Sequence, residues 1–277
     1  QELFALTPKA ELDQATFAGW HEFGHLLFNE QYFEEHTNAR VKATRAPRAL
    51  IDDMERNAEE TFADSYAIGL ILRPKEATPN SPPIHQDPID VLRDHVHLRL
   101  TGAMTGLTLG AGGVKHLINP HWRDLARDAI NAPANRDHIA IGEAAITHVV
   151  DRQPSAAAMT GIIGDFWDLN PDGLDGRGLT PDAFMDRVAK AGGQAGHAFS
   201  YVLARDYLEM LDQRLDAEHE LRPAIEKAQE SMAQNPKAAL WDKRFPPVET
   251  VLNAMRLDRK RALTADSTPT ARPAPAA

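Results

Sequence analysis

Two histidines four residues apart, His21 and His25, with Glu22 directly after the first, form the string HEFGH. At 3.6 residues per turn of α-helix, side chains four apart lie within about 40° of each other, so both imidazoles project from one face and can grip one ion. Glu22 is turned by about 100° from His21, which sets its carboxylate beside that ion and outside its ligand shell. That is the place of a general base acting on a water. The surrounding residues Phe17, Trp20, Phe23, Leu26, Leu27 and Phe28 make the helix apolar nearly all round, so it is expected to be buried. Burying two imidazoles and a carboxylate is costly unless partners satisfy them, and a divalent cation is such a partner. Gly24, unfavourable inside a helix by about 1 kcal/mol against alanine, would let another backbone or a substrate come close.

An open catalytic zinc site takes three protein ligands and a water. The chain has no cysteine, so any metal must be held by His, Asp and Glu, and neither a disulfide framework nor a cysteine nucleophile is available. The metzincin continuation needs Gly and His at positions that hold Phe28 and Gln31, and so fails. A second form places a glutamate on another helix with an aspartate one turn later. The stretch NAEETFADSYA, residues 57–67, offers Glu60 and Asp64 on one face among Met54, Ala58, Phe62, Ala63 and Ala67. Glu60 would complete the metal set, and Asp64 would accept the other ring N–H of a ligand histidine, fixing its tautomer. Glu59 is the main rival as ligand, and Glu55 a lesser one.

Together, HEFGH and ETFAD resemble the gluzincin metallopeptidases, most nearly the HtpX and CAAX-prenyl-protease type and small bacterial metallopeptidases sharing the ExxAD form. The resemblance covers residues 13–72. It implies His21, His25 and Glu60 as zinc ligands, Glu22 as catalytic base and Asp64 behind the ligands. It departs in one respect, because the HtpX group carries transmembrane helices and this chain has no apolar run long enough to span. The longest candidate, residues 100–114, is short and glycine-rich.

Zinc held in this way lowers the pKa of a water toward 7 and polarises a carbonyl, so the expected reaction is peptide-bond hydrolysis on a peptide or protein substrate. The oxyanion needs a further donor; His95, His97, His148, His197 and Tyr201 are candidates that spacing does not separate. The non-enzymatic alternative is a helical interaction protein with a closed structural zinc site, its fourth ligand supplied by His36 or His95.

The elements that must position these residues are helical. Period-two alternation is nearly absent, so the expected fold is mainly α: a zincin-like helical catalytic unit with a C-terminal helical lobe and little or no β-sheet. Helices are expected over 13–33, with Asp13 as N-cap, and over 48–72, 88–109, 120–131, 135–151, 155–167, 180–191 and 194–232, the last with a break. A short hairpin or edge strand fits 38–45, and the prolines of 73–88 suit a linker or lid. The expected division is a catalytic unit over 1–115, a helical lobe over 116–264 and a disordered tail over 265–277.

The formal charge of −10 argues against a nucleic-acid partner. The basic run at 256–263 reads as a solvated helix end. The stretch 168–179 starts like a calcium loop, but Leu179 stands where a bidentate Glu is required, and an Asx-rich turn is the better reading. Gly102, Gly106 and Gly110 suit close helix packing. The compartment stays open between cytoplasmic and exported after signal removal.

Overall fold

Thr7 and Pro8 start the first helix. The Thr7 hydroxyl accepts from the Ala10 amide at 3.3 Å, and Pro8 occupies the first helical position, where its missing N–H costs nothing. Helix α1 therefore spans Pro8–Phe28, and Asp13 is not its cap as expected. Asp13 is instead wholly buried and accepts from the amides of His85 and Gln86, both at 2.8 Å, and pairs with His85 Nδ1 at 2.9 Å. Burial pushes its carboxyl up, but these bonds outweigh burial and hold it below the usual range. They fasten the end of the proline segment onto α1.

The computed structural model describes residues 6–28, 48–73, 83–109, 113–132, 137–167 and 180–266. Among these there is no strand. The expected hairpin at 38–45, the calcium-like stretch at 168–179 and residues 267–277 of the tail lie outside them.

Helices α2 (Arg48–Ile71) and α3 (Pro88–Leu109) match expectation. A 3₁₀ turn at Gly113–His116 leads to α4 (Trp122–Asn131). Asn119 does not cap α4; its Oδ1 accepts from the His121 amide at 3.0 Å and its amide donates to the Arg152 carbonyl. The first residue of the helix is thereby moved past Pro120. Asp137 caps α5 (His138–Arg152), and Ser155 accepts from the Ala158 amide at the start of α6 (Ala156–Trp167). Thr180 caps α7 (Pro181–Gln194) with Pro181 behind it, as its sequence indicates. The long segment expected at 194–232 breaks at 215–221 into α8 (Ala198–Arg214) and α9 (Arg222–Ala233). Two further helices, α10 (Ala238–Arg244) and α11 (Val248–Asp266), follow, and the basic run lies within α11.

Helix α1 packs against α2, and α3 and the 3₁₀ turn close over the same pair. The main core runs from Phe17 through Leu92, Leu100, Met159 and Leu208 to Leu252, and a smaller cluster of Phe62, Tyr66 and Ile141 ties α2 to α5. Buried or half-buried ion pairs cross between helices. Arg93 on α3 makes a bidentate pair with Glu249 on α11, at 2.5 and 3.0 Å, and Arg123 meets buried Asp206 at 2.6 Å. No described helix is long and apolar enough to cross a membrane.

Candidate metal centre

The close approach of α1 to α2 rests on Gly24. A side-chain carbon there would stand 2.9 Å from the Ala63 Cα, so only glycine lets the two backbones meet at this level. The residues one turn to either side then face each other across the seam: His21 and His25 on α1, Glu59, Glu60 and Asp64 on α2.

The two imidazoles converge, with His21 Nε2 and His25 Nε2 2.9 Å apart and the rings nearly perpendicular. Their other nitrogens face carboxylates of α2: His25 Nδ1 is 3.0 Å from Glu59 Oε1, and His21 Nδ1 is 2.9 Å from Asp64 Oδ1. A carboxylate accepts, so each Nδ1 carries the proton in the neutral ring, and both Nε2 lone pairs point into the same small volume. Two lone pairs at that separation repel unless a proton or a cation lies between them. Glu22, exposed on α1, completes a set in which one ligand atom from each of His21, Glu22 and His25 lies within 4.8 Å of the others. This His-Glu-His group can hold a metal ion.

Glu60 stands beside this trio, its Oε2 3.5 Å from His21 Nε2. Its nearest charged partner is Arg99 on α3, whose Nη2 donates to Glu60 at 2.8 Å and to Asp64 at 2.7 Å and also lies 3.3 Å from His21 Nε2. Asp64 is thus surrounded by three groups, since His95 Nε2 approaches the same oxygen at 3.1 Å. Burial raises the Asp64 carboxyl, but Arg99, His95 and His21 together hold it well below the ordinary carboxylate range. Burial lowers Arg99, and the two carboxylates more than reverse this, so the guanidinium is firmly charged. The His95 imidazole, stacked on Phe17 with ring centres 3.9 Å apart, is pushed below its ordinary range chiefly by burial, against the pull of Asp64.

These groups line a cavity of about 760 Å³ whose rim includes Glu22, His25, Leu98, Arg99, Gly102 and His116. That size suits a drug-sized or peptide-sized ligand. His116, on the 3₁₀ turn, is 3.0 Å from Arg99 Nη1 and 3.9 Å from Glu60.

The expected residues are thereby brought to one place: His21, His25 and Glu22 in the trio, Glu60 next to it and Asp64 behind His21. Glu59 lies against the far nitrogen of His25, away from the convergence point, and Glu55 makes no contact with the centre. Of the oxyanion candidates only His95 is at the site. His97 accepts from Arg214 Nε at 3.0 Å, the Tyr201 hydroxyl donates to Asp242 and His197 packs on Gly161, all within other helix contacts. Arg99 and His116 were not anticipated. The signal for Arg99 is its spacing: it follows His95 by four residues on α3, the same one-turn step that links His21 to His25.

No family model, curated protein or solved structure matches this chain.

Proposed function

We propose that the chain is a zinc-dependent peptide-bond hydrolase of gluzincin type, with His21, His25 and Glu60 as metal ligands and Glu22 as general base. The observation that carries the reading is the 2.9 Å approach of the two Nε2 atoms while both Nδ1 atoms are held by Glu59 and Asp64. Metal-binding histidines commonly have the second ring nitrogen tied to a carboxylate in this way. Glu60 lies outside the His21, Glu22 and His25 group, 3.5 Å from His21 Nε2 and paired with Arg99, and as a ligand it would have to exchange that partner for the metal. The fit of the donors is that of a borderline ion with nitrogen and oxygen ligands, which favours zinc.

When bound, zinc supplies a lowered water pKa and a polarised carbonyl. Glu22, exposed at the cavity rim, would take the proton of the attacking water as the C–O bond forms and deliver it to the amine as the C–N bond then breaks. Arg99, charged and lining the same cavity, donates to the carbonyl oxygen as negative charge develops there. Asp64 and Glu59 hold the imidazoles in one tautomer, and Phe17, Ala18 and Leu98 give the cavity an apolar wall.

The test is Glu22→Gln. Metal analysis should return one zinc per chain in both forms, and cleavage of a quenched peptide library should fall by about 10³-fold or more in the variant. Unchanged behaviour in Glu22→Gln, with zinc retained, would turn the reading into the structural-zinc alternative.

A further inference from the structure

A second cavity, of about 340 Å³, lies on the opposite side of α2 from the metal centre, between α2, α4 and α5. Three facing stripes build it. Ser65 and Gly69 are one turn apart on α2, Asp124 and Asp128 one turn apart on α4, and Ala144, His148 and Asp151 follow successive turns of α5. Gly69 permits the approach, since a side-chain carbon there would meet Ile141 Cγ2 at 2.7 Å.

The charge is unbalanced. Three carboxylates, Asp124, Asp128 and Asp151, share the cavity with one guanidinium, Arg152. Asp124 has further cations nearby, His121 at 3.2 Å when protonated and Arg127 at 3.7 Å, whereas Asp128 and Asp151 are exposed at the rim.

A separate observation points to a ligand. His148 is only 8% exposed, lines this cavity, and its Nε2 has no hydrogen-bond partner. A buried nitrogen left unpaired is unfavourable, and such groups are ordinarily satisfied in the working state of a protein. Burial, with His121 and Arg152 adding to it, pushes the His148 imidazole down to about 4, so it offers a lone pair to a donor and adds no positive charge of its own.

The spacing excludes a single metal ion as occupant. Among the described residues, the only three His, Asp or Glu ligand atoms within 4.8 Å of one another belong to the first centre. No such trio occurs at the second cavity, whose three carboxylates come from two helices, α4 and α5. Between them run Leu125, Ala129 and Ile141, an apolar wall fitted to methylene groups.

We propose that this cavity binds an alkylammonium cation, with one ammonium donating to His148 Nε2, the aliphatic chain on Leu125, Ala129 and Ile141, and the charge held by Asp128 and Asp151. The same chemistry is carried by a free aliphatic diamine and by a lysine side chain.

Calorimetric titration of the full chain with 1,4-diaminobutane and with Nα-acetyl-lysine amide tests this, with tetramethylammonium as a cation that cannot donate. At least one amine should bind one-to-one with Kd of about 1 mM or tighter, and tetramethylammonium at least about tenfold more weakly. Binding of the diamine alone assigns a free diamine, and capped lysine at equal or better affinity assigns a protein side chain. Asp128→Asn with Asp151→Asn, both at the exposed rim, should weaken the amine at least about tenfold without disturbing folding, and His148→Asn should do the same through the interior contact. Absence of binding by both amines, equal binding of tetramethylammonium, or full affinity in the rim variant would overturn the proposal. Zinc content and peptide cleavage read the first centre alone, so the two sites stand or fall independently.

Discussion

Ala63 Cα lies 2.9 Å from where the first side-chain carbon of residue 24 would stand if Gly24 were alanine. This contact sets the distance between α1 and α2, and that distance brings imidazoles from one helix to carboxylates of the other. In an unobstructed helix, Gly→Ala gains about 1 kcal/mol from reduced backbone entropy. At residue 24 the new methyl meets backbone, which cannot swing away as a side-chain tip does, and overpacking of this kind is destabilising by about 1–3 kcal/mol. Gly24→Ala is therefore expected to lower stability and to weaken zinc binding at least about tenfold, because both Nδ1–carboxylate contacts lengthen. Gly19, on the same helix with nothing within 4 Å of its Cβ position, is the control. Gly19→Ala should raise stability by about 0.5–1 kcal/mol and leave zinc affinity unchanged. Urea unfolding and a competitive zinc titration measure both, and equal behaviour of the two variants would refute the account.

Much of the centre was readable from the chain because it is local. The one-turn steps His21–His25 and Glu60–Asp64 are dictated by helix geometry, and apolar neighbours marked α2 as buried; on α1 the same reading failed, since Phe23, Leu26 and Leu27 are exposed and only the face with Phe17, His21 and Gly24 is buried. The helix start at Thr180, ahead of Pro181, was also legible, whereas the Asp137 cap was not. What could not be read are the choices made between elements. Asp13 has the chemistry of an N-cap, yet Thr7–Pro8 supplies a better one and Asp13 serves segment 83–86, over seventy residues away. Glu59 and Glu60 are adjacent and alike. Which faces the convergence point and which the far side of His25 depends on the rotation of α2 about its axis, which periodicity alone leaves open. Arg99 has no meaning until its carboxylate partners are known, because it is one of several charged residues on α3, with Asp90, Arg93 and Asp94. The last helices, α10 and α11, by contrast start just after Pro236 and Pro246–Pro247, a boundary signal as clear as that of α7.

The Arg99 guanidinium holds two carboxylates that would otherwise be buried without a counter-charge, with Nη2 2.8 Å from Glu60 and 2.7 Å from Asp64. Removing one partner from such a set is destabilising by about 3–5 kcal/mol, more than the set contributes relative to an apolar replacement. Arg99→Met should therefore lower the melting temperature of chelator-treated protein by several degrees. Zinc offsets the same negative charge, so the fall should be smaller in the zinc-loaded protein. Melting curves with and without chelator check this. An equal fall in both conditions would mean that the carboxylates and the metal do not share a charge balance.

Glu209, on α8, gives a pH dependence far from the metal centre. Burial, with Asp206 adding to it, pushes its carboxyl up to about 7 from an ordinary 4.5, and its Oε2 is buried without a hydrogen-bond partner. Between pH of about 4.5 and 7 the folded protein binds this proton more tightly than the unfolded chain does. Stability from this group is present at the acid end of that window and falls as pH rises through it. Glu209→Gln keeps the shape and removes the charge. It should stabilise the protein at alkaline pH by about 2 kcal/mol and make little difference below the ordinary glutamate range. Urea midpoints of the two proteins plotted against pH should diverge as pH rises, and parallel curves would show that the Glu209 carboxyl titrates normally.

Glu59 and Asp64 make matched contacts with the two Nδ1 atoms but stand in different surroundings, which predicts different consequences when each loses its charge. Glu59 is partly exposed and touches only His25 at the centre, at 3.0 Å. Glu59→Gln can still accept through its amide oxygen, so zinc affinity should fall modestly, by about tenfold or less. Asp64 is buried and also receives Arg99 and His95. Asp64→Asn can also accept through its amide oxygen, but that one uncharged oxygen must serve His21, His95 and Arg99, and the guanidinium, left with Glu60 as its only carboxylate, draws Glu60 away from His21. Two of the three proposed ligands are disturbed at once, and affinity should fall by about 100-fold. A zinc titration with a chromogenic competitor ranks the two. Should Glu59→Gln prove the more damaging variant, Glu59 rather than Glu60 would be the carboxylate that reaches the metal, and α2 would have to be rotated accordingly.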